Sequence, residues 1–191
     1  MNNVDQIMND NKAFVERKDY EQYITSRFPD RKMVIVTCMD TRLTEMLPKA
    51  MNLRNGDAKI IKNAGGIVTQ PFGNIMRSVL IAIYELQADE VFVVGHHGCG
   101  MTGLNPEVIV QHMTDRGVPQ QTVETLRHSG LNFMRWLTGF DNVKESVEKS
   151  VGIIRNHPLL PPNVPVHGMT IEPETGQLDL IVNGYDKLKQ E

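Results

Sequence analysis

The chain has 191 residues, of which 40% are hydrophobic and 23% are charged, and its formal net charge at pH 7 is −3. This composition is typical of one globular domain with a real core, and a slightly acidic chain lacks the concentrated basic surface that nucleic-acid binding requires. No apolar run approaches the roughly 20 residues of a membrane-spanning helix, and the first residues lack the features of a secretory signal, so we expect a cytoplasmic protein with no nucleic-acid or membrane partner.

Four segments of the sequence predict β-structure. MVIVTC (33–38), the start of AKIIKNAGG (58–66) and the start of EVFVVGHHGCG (90–100) are short apolar runs. The continuous run MVIVTC is typical of a strand that is buried on both faces, as in a parallel sheet. The C-terminal VPVHGMTIEPETGQLDLIVNGY (164–185) predicts a β-hairpin with its turn near Thr175.

Helical periodicity fills most of the rest of the chain. It occurs in residues 1–27, in 41–53 with an expected break at Pro48, in 72–88, and across 105–156, where 122–140 is interpreted as one helix. This alternation predicts an α/β fold: a mostly parallel central sheet flanked by helices, with a C-terminal hairpin-like edge strand. We expect one domain over 1–191, in which residues 1–28 form an N-terminal helical arm.

The two cysteines of the chain lie at the ends of two predicted strands. Cys38 ends the first strand, and Cys99 follows the third strand, three residues after His96. If these strands are neighbours, all three side chains converge at the carboxyl edge of the sheet. Thiolate and imidazole are preferred zinc ligands, and a reducing compartment disfavours a structural disulfide. The sequence therefore predicts one Zn²⁺ per chain, with the fourth position left to water or a carboxylate.

Asp40 and Arg42 lie beside the first cysteine in CMDTR (38–42). In an extended segment alternate side chains point to one side, so Arg42 could hold Asp40 in a bidentate ion pair. A carboxylate in that position could accept the proton of a metal-bound water, or could swing in and bind the metal itself. We therefore predict that Asp40 and Arg42 are the catalytic pair.

The segment after the second strand would lie at the same edge of the sheet. Gly65, Gly66 and Gln70 are therefore candidates for lining a substrate pocket. No phosphate-binding glycine motif is present, which makes a flavodoxin-like nucleotide-binding protein a poor alternative. His97 could be a proton shuttle, but a solvent-facing loop histidine is an equally good interpretation.

CMDTR followed by GHHGCG resembles the β-class carbonic anhydrases, in particular their compact bacterial branch. The family pattern is CxDxR and then HxxC, so the resemblance implies that Cys38, His96 and Cys99 bind zinc beside an Asp40–Arg42 dyad. KNAGG (62–66) resembles the segment that lines the family's cleft, and VHGMTIEPETGQLDL (166–180) resembles its last hairpin. The chain has Thr41 where many members have serine.

The resemblance implies zinc-dependent, reversible hydration of CO2 to bicarbonate and a proton by a zinc-bound hydroxide. It also implies a homodimer or homotetramer in which the N-terminal helices pack across the interface. Two alternatives use the same fold. One is a CS2 or COS hydrolase with the same site, and the other is a non-catalytic zinc-binding or bicarbonate-sensing protein. The presence of Asp40 and Arg42 argues against the second, because a purely structural metal site needs neither.

Overall fold

A single five-stranded sheet organises the computed structural model, which describes residues 2–188. The strands are β1 (Met33–Cys38), β2 (Ala58–Asn63), β3 (Glu90–His96), β4 (Val166–Ile171) and β5 (Leu178–Val182). Their order across the sheet is β2-β1-β3-β4-β5. The first four are parallel, and β5 pairs with β4 in the antiparallel sense at one edge. The predicted α/β fold with a hairpin edge strand is confirmed.

The helices are α1 (Asn3–Glu16), α2 (Leu43–Ala50), α3 (Asn74–Tyr84), α4 (Pro106–Asp115), α5 (Gln120–His128), α6 (Phe133–Trp136), α7 (Val143–Arg155) and α8 (Tyr185–Leu188), with a 3-10 helix at Asp19–Tyr23. Within residues 2–188, none of them combines the length and the apolar character needed to cross a membrane.

Two helix predictions were wrong in detail. The helix expected over 122–140 is divided into α5 and α6, because Gly130 between them has φ +97°. Pro48 does not break α2, which continues to Ala50. The proline lies close to the end of this short helix, so its missing N–H costs only one bond of the last turn.

The inner strands β1, β3 and β4 are buried on both faces, whereas the edge strands β2 and β5 are partly exposed. The alternation along β1 separates the two layers. Val34 and Val36 face α3 and α7, whereas Met33 and Ile35 face α2. All six residues of β1 are buried. Burying each aliphatic side chain of this kind contributes about 1.5–3 kcal/mol. Cys38 and Cys99 belong to the layer on the α2 side, which places the candidate site there.

The segment between β3 and α7 forms a helical insertion whose two ends are joined by backbone hydrogen bonds. The Phe140 N–H donates to the Met101 carbonyl at 3.1 Å, and the Gly103 N–H donates to the Phe140 carbonyl at 2.9 Å. Helices α4, α5 and α6 lie between these points and share a small cluster of buried side chains, Val110, Val123 and Phe133. This insertion therefore has its own small hydrophobic cluster. The two backbone hydrogen bonds attach it to the loop that follows Cys99 and hold that loop in place.

His167 on β4 should make the stability of the fold depend on pH. Its Nδ1 accepts a hydrogen bond from the Gly184 N–H at 3.1 Å, and its ring stacks on Phe92. Burial lowers the pKa of His167 below its usual 6.5, although nearby Glu90 opposes the shift. As pH falls below about 6.5, the unfolded chain therefore takes up a proton that the folded chain excludes, so stability is present above that pH and is lost below it.

His167→Asn should flatten this dependence, since the asparagine Oδ1 can accept the same bond without titrating. Urea unfolding at pH 7.5 and 5.5 measures the difference, and each pKa unit is worth about 1.4 kcal/mol. His128→Asn, at an exposed position of α5, controls for the loss of an imidazole. An equal loss of stability between the two pH values in wild type and His167→Asn would refute this prediction.

Candidate metal centre

Adjacent strands bring the three predicted metal ligands together. Strands β1 and β3 are neighbours, with Thr37 paired to Val94, so both end at the same edge of the sheet. Cys38 is the last residue of β1, His96 is the last residue of β3, and Cys99 lies in the loop that follows. The ligand atoms of these three residues lie within 4.8 Å of one another, and all three residues are buried.

The spacing of the two thiols fits a tetrahedral zinc ion. Two sulfurs bound at about 2.3 Å to a tetrahedral ion lie about 3.8 Å apart. The Sγ atoms of Cys38 and Cys99 are 3.8 Å apart. Cys38 is held in a buried central strand, so this distance is set by the sheet and the following loop together.

The imidazole of His96 presents one free nitrogen to the same point. Its Nδ1 lies 2.8 Å from the His97 carbonyl, and because a carbonyl only accepts, Nδ1 must carry the proton. The lone pair is therefore on Nε2, which is buried and has no hydrogen-bond partner among residues 2–188. A buried nitrogen of this kind, oriented by a backbone carbonyl on the other side of the ring, is the usual arrangement of a metal-binding histidine.

The electrostatics of the two thiols also indicate a site for a cation. Burial raises the pKa of the Cys99 thiol, and the neighbouring Cys38 raises it further, while a hydrogen bond from the Met101 amide lowers it. Two thiols this close resist becoming two thiolates unless a positive charge lies between them. Two sulfurs, an imidazole nitrogen and a nearby carboxylate form a donor set that suits Zn²⁺.

Asp40 and Arg42 form the bidentate pair beside these ligands, but through a turn rather than an extended segment. The Arg42 Nε donates to Asp40 Oδ1 at 3.0 Å and Nη2 donates to Oδ2 at 2.8 Å. The Arg42 backbone N–H also donates to Oδ1 at 2.9 Å, which closes an Asx turn at the start of α2. The expectation of an extended 38–42 segment was wrong, because the helix begins immediately afterwards.

Arg42 fixes the position of the Asp40 carboxylate and lowers its pKa. Its Nη2 also donates to the Gly98 carbonyl at 3.0 Å, which joins the dyad to the loop that carries Cys99. The hydrogen bonds from Arg42 hold the pKa of Asp40 well below its usual range, so this side chain is a carboxylate at neutral pH. Asp40 Oδ2 lies 3.7 Å from His96 Nε2, on the side where the candidate metal ligands converge.

A cavity of about 570 Å³ opens onto the two thiols and the dyad. Besides Cys38, Cys99, Asp40 and Arg42, its lining consists of Met39, Thr41, Ala64, Gly65, Gly100, Met101 and Leu104. The lining therefore combines titratable groups with apolar side chains.

The comparisons with known proteins agree with this geometry. A family model described as carbonic anhydrase matches residues 33–178, the part of the chain that contains the whole site. The crystal structure of β-carbonic anhydrase isoform I from Trichomonas vaginalis superposes with a TM-score of 0.86 at 33% sequence identity, covering 97% of this chain and 100% of that one. This chain belongs to the β-carbonic anhydrase family.

Relatives of this chain carry two kinds of name. The protein named "Putative carbonic anhydrase YtiB" of Bacillus subtilis is 56% identical over 186 residues, which cover 97% of this chain and 100% of that protein. The protein named "Carbon disulfide hydrolase" of Saccharolobus solfataricus is 31% identical over 175 residues, with 85% and 83% covered. Family membership alone therefore leaves more than one substrate open.

The three residues predicted to line the substrate pocket lie in different places. Gly65 lines the cavity. Gly66 lies behind it, where an added Cβ would be 2.9 Å from the Cys38 nitrogen. Gln70 lies at the turn before α3, where its carbonyl accepts a hydrogen bond from the Gly73 N–H at 3.2 Å. His97 is exposed, and its N–H donates to the Ile171 carbonyl at 3.1 Å.

The apolar wall of the cavity was missed by sequence reasoning. Met39 and Met101 follow the two cysteines closely in the chain, so their position next to the ligands was the available signal. Leu104 had no such signal, because the bonds that hold its loop come from Phe140, far along the chain.

Proposed function

We propose that this protein is a zinc-dependent carbonic anhydrase that interconverts CO2 and bicarbonate. The observation that carries the proposal is the Cys38–His96–Cys99 cluster next to a carboxylate held by Arg42, with a partly apolar cavity that opens onto the two thiols. A purely structural zinc site would have four protein ligands and no need for an oriented carboxylate. Three ligands beside an ionised Asp40 favour a site with one position for chemistry.

Bound zinc would supply Lewis acidity, which makes hydroxide available near neutral pH. The residues of the chain then have separate tasks. Cys38, His96 and Cys99 would hold the ion. Asp40 is ionised and can only accept a hydrogen bond, so it would orient the attacking oxygen by accepting a hydrogen bond from it. Arg42 fixes the direction from which Asp40 does so.

The apolar wall would hold the carbon substrate. CO2 is linear and has no net dipole, so it gains little from hydrogen bonds and is suited to a surface formed by Met39, Met101 and Leu104. Bicarbonate is charged and would be expelled from the same surface. The arrangement therefore favours entry of the apolar reactant and release of the charged product.

The deciding experiment is stopped-flow CO2 hydration by zinc-loaded protein at mildly alkaline pH, with metal content measured on the same sample. Hydration well above the buffer rate supports the proposal. Protein that holds one zinc per chain and leaves the rate at the buffer level would overturn it.

A second candidate function is hydrolysis of CS2 or COS at the same centre. It is favoured by the 31% identity to a protein named carbon disulfide hydrolase and by the apolar methionine wall, which suits a linear sulfur-containing substrate equally well. Assays of hydrogen sulfide release from CS2 and COS, run in parallel with CO2 hydration, distinguish the two. A larger kcat/KM for a sulfur substrate would assign the second function.

We also propose that the protein is a homodimer, or a pair of dimers, of one-domain subunits with 1–28 as an arm. A compact monomer of this mass exposes about 9,200 Å² of surface. The chain exposes 12380 Å². Helix α1 has no buried residue, and apolar side chains are exposed both there and around α3, including Ile7 at 63% and Phe72 at 78%. A second copy could cover both surfaces.

If α1 packs against a second copy of the chain, a charge placed on its apolar side should weaken the dimer. Ile7→Lys places a cation on the apolar side of α1 and should shift the protein toward monomer in light scattering. Gln6→Lys makes the same change of charge at an exposed polar position of the same helix and should leave the assembly unchanged. An Ile7→Lys protein with unchanged mass in solution would exclude α1 from the interface.

A further inference from the structure

The loop Ala64–Gly66 between β2 and α3 contacts the candidate site from two sides. Ala64 and Gly65 form part of the cavity wall. Gly66 is pressed against the backbone of the first ligand, since a Cβ there would lie 2.9 Å from the Cys38 nitrogen and 2.9 Å from the Thr37 carbonyl carbon. The same short loop therefore shapes the substrate side of the cavity and supports Cys38 from behind.

The conformation of this loop needs to be held in place. Gly65 has φ +81° and Gly66 has φ +63°, in the left-handed region that glycine enters without steric cost. Two adjacent glycines also have many other conformations available, and fixing each residue costs about 1–2 kcal/mol of backbone entropy. Some other group must select the conformation that supports Cys38.

Asn63 makes the contacts that select it. Its Nδ2 donates to the Ile67 carbonyl at 2.7 Å, and its Oδ1 accepts from the Ile67 N–H at 3.1 Å. These two bonds close a ring around the three loop residues. The Asn63 backbone carbonyl also accepts from the Met39 N–H at 2.8 Å, and Asn63 is the register partner of Cys38 in the β1–β2 pair. Asn63 thus links the loop to the strand that carries Cys38 and to the residue that follows it.

We propose that Asn63 is a positioning residue for the metal centre, which acts through the loop on the Cys38 thiolate. The inference rests on the proposed zinc site. An amide is the side chain that the ring requires, because one end must donate to a carbonyl while the other accepts from an N–H. A carboxylate would place a second acceptor against the Ile67 carbonyl. Loss of the ring would release the glycines, remove the support behind Cys38 and loosen the 3.8 Å spacing of the two sulfurs.

The test compares Asn63→Asp and Asn63→Ser with wild type in three measurements. Asn63→Asp loses the donor and adds charge, and Asn63→Ser loses the ring without adding charge. Zinc affinity is measured by competition with a chromophoric chelator, the sulfur-to-metal charge-transfer band is recorded on Co²⁺-loaded protein, and kcat and KM are determined separately. Circular dichroism and thermal unfolding verify the fold.

We expect both variants to lose about tenfold in zinc affinity and to show an altered charge-transfer band, because supporting contacts typically change metal affinity by about 10–100-fold. In zinc-saturated protein kcat should fall more than KM changes. Asn132→Asp, at the N-cap of α6 where an aspartate caps equally well, is the matched control and should leave all three readouts unchanged.

Unchanged affinity and an unchanged charge-transfer band in a less stable Asn63 variant would overturn the proposal and leave Asn63 with a structural role alone. The test remains separate from that of the proposed function. If zinc-loaded wild type does not hydrate CO2, the proposed function fails, whereas the zinc competition and the Co²⁺ spectra still decide the role of Asn63.

Discussion

Replacing Cys38 with alanine should abolish zinc binding at stoichiometric metal and lower CO2 hydration by at least about a thousandfold, which corresponds to about 4 kcal/mol. Only His96 and Cys99 would remain of the cluster, and two ligands do not hold the ion against a chelator. Metal analysis after dialysis and stopped-flow hydration measure the two effects on one sample. Cys38→Ser, which keeps the size of the side chain, tests the same ligand with less disturbance of the buried layer.

The control for this prediction is Met39→Leu. Met39 is the next residue in the chain, lines the cavity and is 63% exposed, and it is not one of the proposed ligands. Replacing methionine with leucine preserves volume and apolar character. Zinc content should stay at one per chain. A Cys38→Ala protein that retains both zinc and the wild-type rate would exclude Cys38 as a ligand and, with it, the cluster.

The strand ends were predictable because the signal for them is local. A continuous apolar run such as β1 indicates burial on both faces, and the carboxyl ends of adjacent parallel strands meet at one edge. The positions of Cys38 and His96 follow from that rule once β1 and β3 are neighbours. The placement of Cys99 needs only the short loop that follows.

What sequence reasoning missed depends on contacts between distant residues. The Phe140–Met101 backbone bond, which holds one wall of the cavity, joins residues 39 positions apart and leaves no periodic pattern. The Asx turn at Asp40 was missed for a different reason. The apolar run of β1 favoured a continued extended chain, whereas the short polar side chain and the start of α2 favoured a turn. Local turn chemistry prevailed over the strand pattern.

Removing the Arg42 side chain should lower kcat by about a hundredfold while leaving the fold intact. The side chains of the pair are exposed at 45% and 18%, so the ion pair adds little to stability. Without Arg42 the pKa of Asp40 rises toward its usual value, although at neutral pH the group stays a carboxylate. It is then free to rotate from its place 3.7 Å from His96 Nε2 and to compete for the fourth position.

Arg42→Lys separates the contribution of charge from that of geometry. Lysine keeps the positive charge but cannot form the fork to both Asp40 oxygens and the bond to the Gly98 carbonyl, so an intermediate rate is expected. Lys49→Ala removes the cation of an exposed pair with Glu45 on α2 and should leave the rate unchanged.

Asp40→Asn distinguishes the two ways in which the loss of Arg42 could act. If a released carboxylate closes the site, X-ray absorption of zinc-loaded Arg42→Ala should show an added carboxylate oxygen, and the Arg42→Ala/Asp40→Asn double variant should lack it. If Arg42 acts only by orienting Asp40, the metal environment of Arg42→Ala stays as in wild type while the rate still falls. A wild-type rate in Arg42→Ala would exclude both, and would reduce the dyad to a surface ion pair that happens to lie beside the metal centre.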